Sequence, residues 1–217
     1  MTSCHCQGAD QQFDARIARR DLRRFRRRGP DPSTRQLIAA VRTLPLPPEP
    51  ALLDVGGGIG ALHHTLLDGR FARAVHIDGS EAYLATAAEE AARRGHSGRV
   101  EFRQGDFAAA GSGLPPADVV TLDRVVCCDP DFTRLLTAAA DHARCAVAFS
   151  YPRPRWLVPA MVAAANAARR MVGRAFRAYV HPPAAMHAVL EHAGFRRRWT
   201  GGTWVWAVEL FQRQPPT

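Results

Sequence analysis

Apolar positions along the chain follow two alternating periods. Ala51 to Val55, Ala74 to Asp78, Ala117 to Leu122 and Cys145 to Ser150 are short, mainly apolar runs of the kind that form buried parallel strands, and Val100 to Phe107 gives a further strand ending in Gly-Asp-Phe. Between them the spacing turns helical. Leu62, Leu66 and Leu67 follow the first run, and Ala82, Leu84, Ala85 and Ala88 follow Ser80 as a helix cap and precede Gly95. A further helix starts at Asp131 or Thr133 and runs through His142. Leu157 to Val172 is apolar nearly all round, which fits either a core helix or the wall of an apolar site.

Two helices precede the first strand. One, within residues 13–28, puts Ala18, Leu22 and Phe25 on one face and stops at Gly29-Pro30; the other, capped by Ser33, runs from about Thr34 to Leu44 over Leu37, Ile38 and Val41. Near the other end, Pro182 and Pro183 open a helix that reaches His192 with Gly194 beyond it. Phe195 to Trp199 and Thr203 to Gln212 then predict a hairpin across Gly201-Gly202. Alternation of this kind predicts an α/β fold, a three-layer sandwich around a mostly parallel sheet.

Chemistry gathers where the strands end. Ala51 to Val55 is followed by Gly56, Gly57, Gly58 and Gly60, a strand, glycine turn and helix in which backbone N–H groups can face a ligand. Gly56, Gly58 and Ala61 also satisfy the G-x-G-x-x-G/A pattern of dinucleotide binding, so a NAD-dependent oxidoreductase is a rival reading. Three strands end in acids, at Asp54, Asp78 and Asp106. A cationic cofactor welcomes such a rim, whereas a pyrophosphate would want it less negative.

Leu-Leu-Asp-Val-Gly-Gly-Gly-Ile-Gly, His-Ile-Asp-Gly-Ser and Gln-Gly-Asp-Phe, in this order and spacing, resemble the signature of class I S-adenosylmethionine-dependent methyltransferases. The resemblance implies a seven-stranded sheet of order 3-2-1-4-5-7-6 with its last strand antiparallel, formed by residues 33–213, and leaves residues 1–32 as an Arg-rich helical extension or cap. It further implies that Asp54 with Gly56, Gly58 and Gly60 holds the methionine end of S-adenosylmethionine. Asp78, beside Gly79, would take the ribose hydroxyls, Asp106 the adenine amino group, and the Phe107 N–H the ring. Asp123, at the end of the fourth strand, joins this rim. The stretch Arg124-Val-Val-Cys-Cys-Asp-Pro is similar to part of the magnesium-protoporphyrin O-methyltransferases.

Methyl transfer from a sulfonium is an in-line displacement, so a base is needed only for a protonated acceptor. Asp123, Tyr151 and His181 are the polar candidates for the catalytic end, with His181 the expected base because its ordinary pKa lies near neutrality. His63 and His64 read as surface residues.

Composition narrows the acceptor. The chain has 217 residues and a formal charge of +9, and every basic residue other than histidine is arginine. Residues 1–35 carry nine arginines against four acids. Such a charge permits an RNA methyltransferase, but Phe25 is the only aromatic interleaved with these arginines, and Leu-Asp-Arg-Val-Val after the fourth strand departs from the Asn/Asp-Pro-Pro-aromatic motif of nucleobase enzymes. The expected acceptor is a small molecule with an apolar body and an acidic group, approached by the N-terminal arginines, Arg124, Arg153 and Arg155. Cys4-His5-Cys6 could meet Cys127-Cys128 at a metal, but a tail and two packed thiols is the preferred reading, and no metal is expected. No run is long enough to span a membrane and the first residues lack a signal-peptide core, so a cytoplasmic enzyme is expected.

Overall fold

The computed structural model describes residues 13–110 and 113–215. Seven strands form one sheet: β1 (Ala51–Val55), β2 (Arg73–Asp78), β3 (Val100–Gln104), β4 (Ala117–Asp123), β5 (Ala143–Pro152), β6 (Phe195–Gly202) and β7 (Trp206–Arg213). Their order is β3-β2-β1-β4-β5-β7-β6. The first five run parallel, with Leu53 opposite Val75 and Val120, whereas β7 lies antiparallel between β5 and β6. This is the expected architecture.

Alternation along the strands sorts side chains to two cores. Leu53, Val55, Val120, Leu122, Phe149 and Phe211 face one layer, completed by α6 (Phe132–His142) and α8 (Pro183–His192). Leu52, Val119, Ala148 and Leu210 face the other, packed by α2 (Pro32–Arg42) and α3 (Ala61–Leu67). Helix α4 (Glu81–Arg94) follows β2, the short α5 (Phe107–Ala110) follows β3, and α7 (Leu157–Met171) follows β5.

Three features differ from the sequence reading. Helix α2 begins at Pro32, a residue whose fixed φ suits a first turn, with Asp31 rather than Ser33 at the N-cap; Ser33 is buried inside it. The hairpin turns at residues 203–205, because Gly201 and Gly202 are strand residues clasped by Gln36, which donates to the Gly202 carbonyl at 2.9 Å and accepts its N–H at 2.6 Å. Helix α7 is not a core helix: Val158 is its only buried residue. Cys4-His5-Cys6 lies outside the described residues.

Helix α1 (Ala15–Arg28) is capped by Asp14, whose carboxylate accepts the Ile17 N–H at 2.9 Å. Its apolar face, Leu22 and Phe25, packs on Ile59, Ala61 and Tyr83. The polar attachment is stronger in kind. Arg26 of α1 shares the buried Glu90 carboxylate with Arg93 and Arg94 of α4, at 2.8 Å through Arg26 and 2.7 Å through Arg94. Arg94 also lies 4.8 Å from the centre of the Phe25 ring.

Burial opposes the charge on Glu90, but hydrogen bonds from Arg93, Arg94 and Arg26 outweigh it and hold the carboxyl down at about 2. A depressed folded pKa gives stability that is full above the unfolded value of 4.5 and is lost as pH falls from there toward 2. We therefore expect Glu90→Gln to lower the melting temperature by several degrees at pH 7. The deficit should shrink as pH falls from 5 to 3, read by circular dichroism melts. An equal deficit at both ends of that range would refute the charge argument.

Candidate active site

The carboxyl ends of β1, β2 and β4 and the turn after β3 open on a cavity of about 690 Å³. Open α/β sheets place ligands at this edge, where the chain reverses its direction of winding between β1 and β4. Residues 54–59 form the floor, Asp78, Gly79, Asp106 and Phe107 one side, and Asp123, Arg124 and Trp206 the other. Helix α1 closes it with Asp21, Arg24 and Phe25, and α7 walls it with Val158, Met161, Val162 and Ala165.

The glycine loop is shaped from beneath. Asp54 is 1% exposed, and its carboxylate accepts from Thr121 Oγ1 at 2.8 Å and from His63 Nδ1 at 2.9 Å. A Cβ on Gly57 would stand 2.5 Å from Asp54 Oδ2, and one on Gly60, whose φ is +79°, would stand 2.6 Å from the His63 ring. No other residue fits either position. The loop is also tied sideways: Asp78 Oδ2 accepts the Gly58 N–H at 2.9 Å, and Oδ1 accepts the Ser80 N–H at 2.8 Å.

The histidines overturn their sequence reading. His63, His64 and His76 are all fully buried, with His63 4.2 Å from His64 and 4.9 Å from His76 between ring centres. His64 meets His96 at 3.2 Å between Nδ1 atoms, and His96 reaches Asp68 at 3.2 Å. Burial, then the nearby histidines and Arg94, depresses His63 far below its ordinary range; burial followed by His63 takes His64 to about 3. Both are neutral packing groups. Burial pushes the Asp54 carboxyl the other way, up to about 6, against the opposing pull of His76 and Thr121. A helix starting straight after a glycine loop buries its first turn under that loop; this signal could have placed His63 and His64 inside.

Among the acids expected at the cofactor, Asp106 caps α5 by accepting the Ala108 N–H at 3.0 Å and pairs with Arg134 at 3.3 Å. Asp123 accepts from Thr34 Oγ1 at 2.5 Å and Ser150 Oγ at 2.6 Å. Gly60 lies behind the lining, as the N-cap of α3.

The three catalytic candidates do not converge. Asp123 lines the cavity, whereas Tyr151 and His181 do not. His181 Nε2 faces the carbonyls of Val126 and Asp129 at 3.1 and 2.9 Å, and its ring stacks 5.7 Å from Tyr179. Tyr151 is 4% exposed beside Glu209; burial, then that carboxylate, drives its phenol pKa upward.

Nor do all the expected arginines meet. Arg153 is turned to the Gly201 and Thr203 carbonyls and Arg155 is exposed away from the lining. Of the expected set, Arg20 and Arg24 of α1 and Arg124 do line the cavity, joined by Arg169. Arg124 takes a positive φ of 62°, uncommon for a side chain of its size, and sits 3.0 Å from Asp31 and 6.0 Å from the centre of the Trp206 ring. Burial works against its charge, but Asp123 and Asp31 reverse that effect and raise its pKa. Cys127 and Cys128 also reach the cavity, their sulfurs 3.8 Å apart; the hydrogen bond to Cys127, with burial, raises the Cys128 thiol well above its usual value, leaving it protonated.

The donor set fits a cofactor with a cationic methionine end: acids stand around the glycine loop, and the lining arginines come from α1, the end of β4 and α7. Among the described residues no cluster of His, Cys, Asp or Glu suits a metal ion.

Residues 52–145 match the family model described as a methyltransferase domain. No curated protein matches the chain. The fold is shared with magnesium protoporphyrin IX methyltransferase from Synechocystis PCC 6803 with bound S-adenosylmethionine, at a TM-score of 0.69 and 18% identity over 98% of both chains. The same protein with bound S-adenosylhomocysteine gives 0.68 and 19% over 84% of this chain and 82% of that one. A putative methyltransferase from Haloferax volcanii, in complex with the Trm112 methyltransferase activator, gives 0.68 and 14% over 96% of this chain and 98% of that one.

A Gly57→Ala substitution tests how the loop is held. Overlap with Asp54 should destabilise the fold by about 2 kcal/mol and weaken S-adenosylhomocysteine binding more than tenfold in calorimetry. Unchanged affinity would mean that the loop rests on something other than the Asp54 carboxylate.

Proposed function

We propose that this chain, an S-adenosylmethionine-dependent methyltransferase, methylates an oxygen of an acidic group on a small, largely apolar molecule. The observation that carries this reading is the wall opposite the glycine floor. There Arg20, Arg24, Arg124 and Arg169, the first three beside Asp21, Asp31 and Asp123, stand with apolar Val158, Met161, Val162 and Trp206.

The cofactor supplies an electrophilic methyl group on sulfur. In this reading Asp78 accepts the ribose hydroxyls, Asp106 and the Phe107 N–H meet the adenine, and the loop from Gly56 to Gly58 cradles the methionine end, with Gly79 leaving room beside the ribose. Asp54, in the cavity floor and held by Thr121 and His63, supports the loop beside the methionine end. Arg124 holds the acidic group of the acceptor, and Asp123 positions Arg124 and Thr34.

A carboxylate is already ionised at neutral pH and needs no base. This agrees with the lining, in which no described residue is a histidine and the one group pushed to about 6, Asp54, is already engaged by Thr121 and His63. Tyr151 and His181 then serve the packing of β5 and of the turn after β4. Catalysis rests on positioning and on exclusion of water by α1 and α7.

Two substitutions separate the halves of the site. Asp78→Ala removes an acceptor for two hydroxyls and should cost about 2 kcal/mol of cofactor binding, roughly thirtyfold in Kd by calorimetry with S-adenosylhomocysteine. Arg124→Leu should leave that Kd unchanged yet raise KM for a carboxylate acceptor at least tenfold. Screening aromatic and polycyclic carboxylates beside short RNAs provides the acceptor. Methylation of RNA alone, with affinity falling steeply as salt rises, would overturn the proposal.

A further inference from the structure

Helix α7 is unusual in what it leaves uncovered. Of its fifteen residues only Val158 is buried, although it holds a single uncharged polar side chain, Asn166. Asn166 is occupied internally: its Nδ2 donates to the Ala178 carbonyl at 2.7 Å and its Oδ1 accepts the Ala178 N–H at 3.0 Å. The outer face is alanine with Pro159, Met161 and Met171. Trp156 at one end is 82% exposed, and Met171 and Val172 at the other are 82% and 70% exposed. An apolar surface of this continuity marks a binding face.

The chain on either side of it carries one sign of charge. From Ser150 to Leu190 there is no Asp or Glu, while Arg153, Arg155, Arg169, Arg170, Arg174 and Arg177 fall in that interval. Helix α1 extends the same field. Phe13, just before it, packs edge-on against Phe176, just after α7, at 5.4 Å. Exposed Arg16, Arg19, Arg23 and Arg27 then repeat at spacings of three, four and four along one side of α1.

We propose that the outer face of α7, with the arginines at its ends and on α1, is a docking surface for an anionic lipid membrane. Charge complementarity and the lack of directional groups select this occupant. A protein partner needs pockets and hydrogen-bonding groups to fix its register, and an alanine face whose one amide is engaged offers neither. A bilayer surface needs only apolar residues at the acyl boundary, a Trp at headgroup depth and arginines that reach phosphates, which is the set found here. No described helix is long and apolar enough to cross a membrane, so the contact is interfacial. Met161, 54% exposed, also lines the cavity, so the docked face adjoins the cavity wall.

Co-sedimentation of the full chain with phosphatidylcholine vesicles, with and without about one third phosphatidylglycerol, tests this across a sodium chloride series. The expected result is binding to the anionic vesicles alone, weakening as salt rises. Trp156→Ala combined with Met171→Ser, and separately Arg155→Glu with Arg170→Glu, should each lower partitioning at least tenfold. None of these residues lines the cavity, so S-adenosylhomocysteine affinity should not change in either variant. Absence of wild-type binding to anionic vesicles, or equal binding by the variants, would overturn the proposal. So would a wild-type dimer in light scattering that the apolar pair of substitutions converts to a monomer, which would assign the face to a second copy of the chain. Cofactor affinity is measured in the same samples, so loss of docking is distinguishable from loss of the methyltransferase site.

Discussion

A single buried carboxylate sets the geometry of the ligand edge. Asp54 is the penultimate residue of β1, among apolar neighbours where an unpaired charge would be expelled, and it persists because Thr121 from β4 and His63 from α3 both donate to it. The two donors come from elements on either side of the loop. Gly57 then rests on the same carboxylate, so the loop height is fixed by a group that Thr121 and His63 already hold. Asp78 performs the lateral counterpart by taking the Gly58 and Ser80 N–H groups. Two acids thus hold five glycine-turn residues in shape before anything binds, which is preorganisation in the strict sense: ordering is completed in folding rather than at binding.

The histidines show how a polar core can be tolerated. Charged rings beneath the loop would be prohibitive at His63 and His64, where burial, followed by neighbouring histidines, suppresses protonation. The rings of His63, His64 and His76 pack edge-on or tilted against one another, and His76 lies 5.5 Å from Phe102, as ordinary aromatic filler. Their presence is therefore compatible with a loop that must not move.

Most of the architecture was legible because hydrophobic period and glycine placement are local signals. Leu52 to Val55 can only be a strand buried on both faces, and the acids at Asp54, Asp78 and Asp106 lie at or within two residues of the ends of their strands. What was illegible depended on long-range packing. Ser33 looked like a cap, but Pro32 preceded it. Gly201 and Gly202 looked like a turn, yet Gln36, far away in sequence, holds them in a strand. Tyr151 and His181 occupy plausible positions in the chain, but where their side chains point is decided by Glu209 and by the turn after β4. The same limit applied to Arg153, which the β6–β7 hairpin captures, and to Arg24, which only the docking of α1 brings to the cavity.

Asp31 has a consequence beyond its local contacts. One of its oxygens lies 2.9 Å from Arg24, on the helix that covers the cavity, and 3.0 Å from Arg124, at the cavity wall. Two guanidiniums sharing one carboxylate are rivals: strengthening either contact weakens the claim of the other. In the proposed reading, an anionic acceptor arriving at Arg124 would supply a second counter-charge there and release part of Asp31 to Arg24. The cover is then held more tightly when the chamber is filled than when it is empty. By reciprocity, whatever tightens the cover raises affinity for the anion, so loading and closing become one thermodynamic event.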